Sequence, residues 1–141
     1  MYYVNREQLA VRLSVIPDVV AALTQLEKNW DGGLMQGLAQ ERALHLAIEA
    51  VTDIGSYLID GFIMRDASSY EDIVTIIEGE RVFPAELQET LIELVRLRKP
   101  LVQDYFEWNR AELHPLTTLL PVTLTAFKSA VEAYLVQELG S

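Results

Sequence analysis

The stretch from Leu38 to Asp60 constrains the fold more than any other part of this chain. Leu44, Ile48, Val51, Gly55, Leu58 and Phe62 recur at spacings of three and four, the period of one α-helical face. Leu46, Ala50 and Tyr57 add apolar surface on another side. A helix that is apolar over most of its circumference belongs at the centre of a domain. Its polar interruption is a narrow stripe of Arg42, Glu49, Asp53, Ser56 and Asp60. At ~3.6 residues per turn these fall within about 60° of one another. The pattern suits a solvated face as well as a face turned into a cleft.

The rest of the chain supplies partners for that helix. Asn5 with Gln8 signals a reciprocal helix cap, and Leu9, Leu13, Ile16, Val20, Leu23 and Trp30 continue on one face. Pro17 interrupts this first long helix and predicts a kink or two abutting helices. Asp31-Gly32-Gly33 stops it. Ser68 with Glu71 predicts a cap for a short helix, Tyr70–Glu78, closed by Gly79. Pro84 opens the next helix, which runs through Leu87, Leu91 and Leu94 into Leu94–Tyr105, with Pro100 forcing a bend or a restart. Asn109 with Glu112 predicts the last cap. Leu113, Leu116, Leu120, Leu124, Phe127, Val131 and Leu135 then form a seam, with a kink at Pro121 and a stop at Gly140. No segment of useful length has the period of a strand. The expected fold is all-α: an antiparallel up-and-down four-helix bundle with one extra short helix, forming a single domain over residues 1–141.

Composition narrows the function. A chain of 141 residues, half of them hydrophobic, can bury a substantial core. Its net charge of −10 argues against a broad basic surface tracking DNA, and leaves room for a small RNA site built from a few arginines. There is no cysteine, hence no disulfide framework and no cysteine-ligated metal. The N-terminus lacks the pattern of a signal peptide. The longest uncharged run, Leu113–Phe127, is shorter than the roughly 18 residues of a spanning helix. A soluble, cytoplasmic protein without membrane association is expected.

The stretch LVRLRKPLVQDY, Leu94–Tyr105, carries the chemical interest. On a continuous α-helix of ~3.6 residues per turn, Arg98 and Tyr105 lie within roughly 20° of the line through Leu87 and Leu91. A guanidinium on a core seam needs a partner. Glu49 and Asp53, four apart on the central helix, are the candidates, and Arg42 extends the network. The network reads as a structural ion-pair cluster fixing helix register or as a device that presents Arg98 to a phosphate; pattern alone favours the structural reading. Other signals are weaker. His45 and His114 are the only histidines, and nothing pairs them at metal-ligand spacing. Ser68-Ser69 reads as a cap, and Trp30 and Trp108 as packing residues. No metal or cofactor is expected.

The segment Leu97-Arg98-Lys99-Pro100-Leu101-Val102-Gln103-Asp104-Tyr105 resembles the signature of the HepT-like family of the HEPN superfamily: Arg, four residues, His, one residue, Tyr. Glu41-Arg42 through Glu49 and Asp53 is similar to the family's second helix, and Asp60–Asp66 with Ser69–Ile73 to its following connection. The resemblance covers roughly Met1 to Gly140. It implies a HEPN-like bundle that forms a homodimer and acts as the ribonuclease toxin of a toxin–antitoxin pair. It also implies a partner, a cognate minimal nucleotidyltransferase that adds AMP to the signature tyrosine. By position, Arg98 would be the catalytic arginine of a metal-independent cut and Tyr105 the modified residue.

The chain departs from the signature at one place: Gln103 holds the histidine position. Glutamine transfers no proton near neutral pH, whereas histidine does. Asp104 is one position away and would substitute only if the backbone around Pro100 shifted it. On an unbroken helix of ~3.6 residues per turn, Gln103 would point ~140° away from Arg98. Two readings follow: a toxin-type ribonuclease with weakened or lost activity, or a non-catalytic homodimeric bundle that binds or scaffolds.

Overall fold

The computed structural model describes residues 2–140, and these contain helices and turns but no strand. The α-helices are α1 (Arg6–Leu13), α2 (Ile16–Asn29), α3 (Leu34–Gly61), α4 (Tyr70–Gly79), α5 (Gln88–Arg96) and α6 (Pro115–Leu139). They pack as a helical bundle with α3 at its centre, in contact with α1, α2, α4, α5 and α6. The sequence pattern placed that helix correctly. Leu44, Ile48, Val51, Ile54 and Leu58 are fully buried on it. It begins a turn earlier than expected, directly after Gly33.

The expected first helix is two abutting helices. Asn5 caps α1 by accepting from the Gln8 backbone N–H at 3.1 Å. Pro17 occupies the first turn of α2, where its missing N–H costs nothing. The α4 cap is Ser69, one residue later than predicted; its hydroxyl accepts from the Asp72 N–H at 3.0 Å. The Asp72 carboxylate in turn accepts from the Ser68 N–H at 2.9 Å, so the helix start is capped by Ser69 and Asp72 in place of Ser68 and Glu71. Gly55 allows α3 and α4 to approach closely, since a Cβ there would lie 2.3 Å from Ile73 Cγ2.

The predicted cap by Asn109 and Glu112 is also corrected. His114 caps α6, its Nδ1 accepting from the Leu116 N–H at 3.1 Å, while Asn109 makes a local turn to the Ala111 N–H. Pro115 explains the shift, because its fixed φ suits the first helical position. From there α6 runs unbroken through Pro121 to Gly140, whose φ of 80° ends it. By length and composition, Arg6–Asn29 and Pro115–Leu139 could each cross a membrane. In this fold both lay an apolar face against the bundle. The α6 seam Leu116, Leu120, Leu124, Phe127 and Val131 is buried, and α2 and α6 pack side by side.

The expected long helix from Pro84 to Tyr105 is in four pieces. A 3-10 turn, Ala85–Leu87, leads into α5; a π-helical turn, Lys99–Gln103, and a second 3-10 turn, Tyr105–Glu107, follow. Leu91, Leu94 and Val95 anchor α5 in the core, and Leu101 anchors the π turn.

Candidate active site

The π turn is a direct consequence of Pro100. Proline offers no N–H to the carbonyl four residues back, so the regular ladder fails there. The chain closes instead with the Asp104 N–H donating to the Lys99 carbonyl at 2.8 Å, a five-residue step. Such wide turns are frequent at functional sites. The Asp104 carboxylate reaches back to Lys99 Nζ at 3.0 Å and clips the turn shut, and that bond raises the Lys99 ammonium pKa. Asp104 thus faces Lys99 rather than Arg98. Gln103 is exposed at the end of the π turn.

Arg98, immediately before the turn, is half-buried. Its guanidinium lies over the Tyr70 ring, 4.3 Å from the centroid. The predicted pairing of Arg98 with Glu49 or Asp53 does not occur. Asp53 pairs with Arg12 at 3.4 Å, and Glu49 approaches His45 at 3.4 Å. Among the described residues Arg98 has no carboxylate partner. The physical reason is that α5 reaches the surface at Arg96, so the long Arg98 stem carries its charge outward and an aromatic face meets it there. Tyr70 is itself held at the start of α4. Arg65 and Asp72 form a bidentate pair at 2.7 and 2.8 Å beside it. Arg65, with the Ser68 N–H, holds the Asp72 carboxyl well below the usual carboxylate range.

Tyr105 was expected on the core seam and is 59% exposed, because the π turn and the 3-10 turn carry it out of the helical phase. Its ring meets Phe106 edge to face, and Phe106 is also exposed. Tyr105 forms one wall of a surface groove of about 360 Å³, together with Leu101 and Val102. The opposite wall is α3: Leu38, Glu41, Arg42 and His45. Arg42 of the predicted network therefore faces this groove, with Nη1 3.5 Å from His45 Nδ1. Glu41 is taken up by a bidentate pair with Arg110.

Two participants escaped sequence reasoning. Tyr70 gave no signal, since its contact with Arg98 spans two helices. His45 did carry one: Arg42 three residues before it and Glu49 four after share its helix face. His114 is spent on capping α6 and stacks on Trp108 with centroids 5.5 Å apart; burial lowers its pKa. No cluster of three or more His, Asp or Glu side chains able to hold a metal occurs among the described residues.

The comparisons with known proteins show the family. The family model described as "Ribonuclease HepT-like" matches residues 16–127. A protein of Bacillus subtilis (strain 168) named "Putative RNase YutE" is 36% identical over 140 residues, covering 99% of this chain and 96% of that protein. A solved structure of YutE from Bacillus subtilis, described as a cytosolic protein of unknown function, superposes with a TM-score of 0.91 at 34% identity, covering 100% of this chain and 97% of that one.

Proposed function

We propose, from the premise that this chain belongs to the ribonuclease HepT-like family, that it is the endoribonuclease component of a toxin–antitoxin pair. It cuts RNA without a metal, forms a homodimer, and is silenced by a minimal nucleotidyltransferase that transfers AMP to the Tyr105 hydroxyl. The observation that carries this reading is the state of Arg98. Among the described residues no carboxylate neutralises it, and an aromatic face holds it in place. Its donors remain available to a phosphodiester, and arginine is well suited to bidentate phosphate binding. The exposure of Tyr105 supports the regulatory half, since a modifying enzyme needs access to the hydroxyl.

Expression alone should slow growth and fragment RNA, and cleavage should persist in EDTA. Arg98→Ala should reduce it by about 10²–10³-fold and Gln103→His should increase it. Co-expression with an adjoining nucleotidyltransferase should add AMP mass to the peptide containing Tyr105. Intact RNA with both the natural chain and Gln103→His would sink the ribonuclease reading and leave the non-catalytic bundle in its place.

A further inference from the structure

The geometry points to His45 as the group that performs the proton transfer for which Gln103 is unfit. This inference rests on the ribonuclease reading above and assigns its general base to a different helix.

His45 stands on the α3 wall of the groove, opposite Leu101, Val102 and Tyr105. Both ring nitrogens are addressed. Nε2 lies 3.4 Å from Glu49 Oε1, and Nδ1 lies 3.5 Å from Arg42 Nη1. A carboxylate can only accept and a guanidinium can only donate. In the tautomer that suits both neighbours, the imidazole proton sits on Nε2, toward Glu49, and the lone pair on Nδ1. A carboxylate that fixes the tautomer and orientation of a histidine is the recurring support of a general base. Arg42 stands beside that lone pair as a second cation for a phosphate. The contacts are longer than tight hydrogen bonds, as is common in sites before substrate binds. Leu38, Leu101, Val102 and the Tyr105 ring supply the apolar and aromatic surface on which a base can stack. The groove volume of about 360 Å³ falls within the range of small-ligand clefts.

In the proposed step, His45 Nδ1 takes the proton of a ribose 2′-hydroxyl. The 2′-oxygen forms a bond to the adjacent phosphorus, and the bond from phosphorus to the 5′-oxygen breaks. That oxygen takes a proton from solvent water, leaving a 2′,3′-cyclic phosphate, and the imidazolium returns its proton to solvent. Arg42 turns from Nδ1 to the phosphate as the charge develops. The placement also links the step to regulation, because AMP on Tyr105 would occupy the groove that His45 faces.

The test uses the full-length chain and an RNA oligonucleotide in EDTA. The natural chain should cleave, and a 2′-deoxy residue at the cut site should block the cut. His45→Gln should reduce cleavage by about 10²–10⁴-fold with an unchanged melting temperature. Gln103→His should restore cleavage in the His45→Gln background, and imidazole should restore it to His45→Ala. Undiminished cleavage by folded His45→Gln would overturn the assignment and leave the ribonuclease reading intact. So would a natural chain that cuts nothing while Gln103→His cuts. If neither the natural chain nor Gln103→His cuts, the ribonuclease reading falls and this inference falls with it.

Discussion

Two faces of the first half of α3 treat polar groups in opposite ways. On one, Gln40 is fully buried and bonded through both its amide nitrogen and its amide oxygen. Its amide donates to the Glu112 carbonyl at 3.1 Å and accepts from the His114 N–H at 2.8 Å and the Thr117 hydroxyl at 2.6 Å. One turn earlier, Gly37 lets the Arg110 carbonyl approach, and Glu41 grips the Arg110 guanidinium. On the other face, Arg42 and His45 line an open groove with long contacts only. Gln40 lies only two residues from Arg42 and five from His45, and the two sides meet different demands. A saturated buried network fixes structure, because an unsatisfied buried group is costly. A charged group held loosely beside a groove keeps its capacity for a ligand.

The largest stability effect should come from breaking the saturated side. Gln40→Ala removes three hydrogen bonds and leaves a void, and should destabilise the fold by about 2–4 kcal/mol. Urea unfolding measures this, and a loss near zero would erase the contrast. Gly37→Ala comes next. Its Cβ would lie 2.3 Å from the Arg110 carbonyl oxygen, so the 108–114 loop must shift. The expected loss is about 1–3 kcal/mol, read from the same unfolding curves. On the open side, Arg98→Ala gives up one cation–π contact and should lower stability by only about 0.5–1 kcal/mol. A loss of several kcal/mol in thermal unfolding would restore the structural reading of that arginine.

The smallest effect is a pH dependence at the α6 cap. Burial depresses the His114 pKa, partly opposed by Glu93. As pH falls below the ordinary histidine value of about 6.5, the unfolded chain takes up the proton first, and stability is lost toward the depressed folded value. Melting temperature should fall between pH 7.5 and 5.5, and fall less in His114→Asn, which keeps a capping side chain. An equal fall in both would remove His114 as the cause.

The helices were legible from sequence wherever one apolar face repeats at helical spacing. Leu44 through Leu58 on α3 and Leu116 through Val131 on α6 are where their periods place them. The Asn5 cap and the break at Pro17 were readable because both act locally. The site was harder for a definite reason. Extrapolating a regular helix through Pro100 placed Arg98 and Tyr105 in the core. The α-helix instead ends at Arg96, with half-buried Arg98 just beyond it; a π turn that keeps only Leu101 in the core and a 3-10 turn follow, so the phase is lost before Tyr105. Caps moved by one to five residues for a similar reason, since Ser69 outcompetes Ser68 and His114 outcompetes Asn109 according to where the helix backbone begins. Tyr70 was out of reach because no spacing connects it to Arg98.

On the proposed reading, the π turn and the groove beside it form a working site that the fold does not need. Cleavage of an RNA oligonucleotide in EDTA by the natural chain and by folded Arg98→Ala tests it most directly. The natural chain should cleave, and the variant should lose about 10²–10³-fold at nearly unchanged melting temperature. Equal cleavage by both, or no cleavage by either the natural chain or Gln103→His, would contradict it.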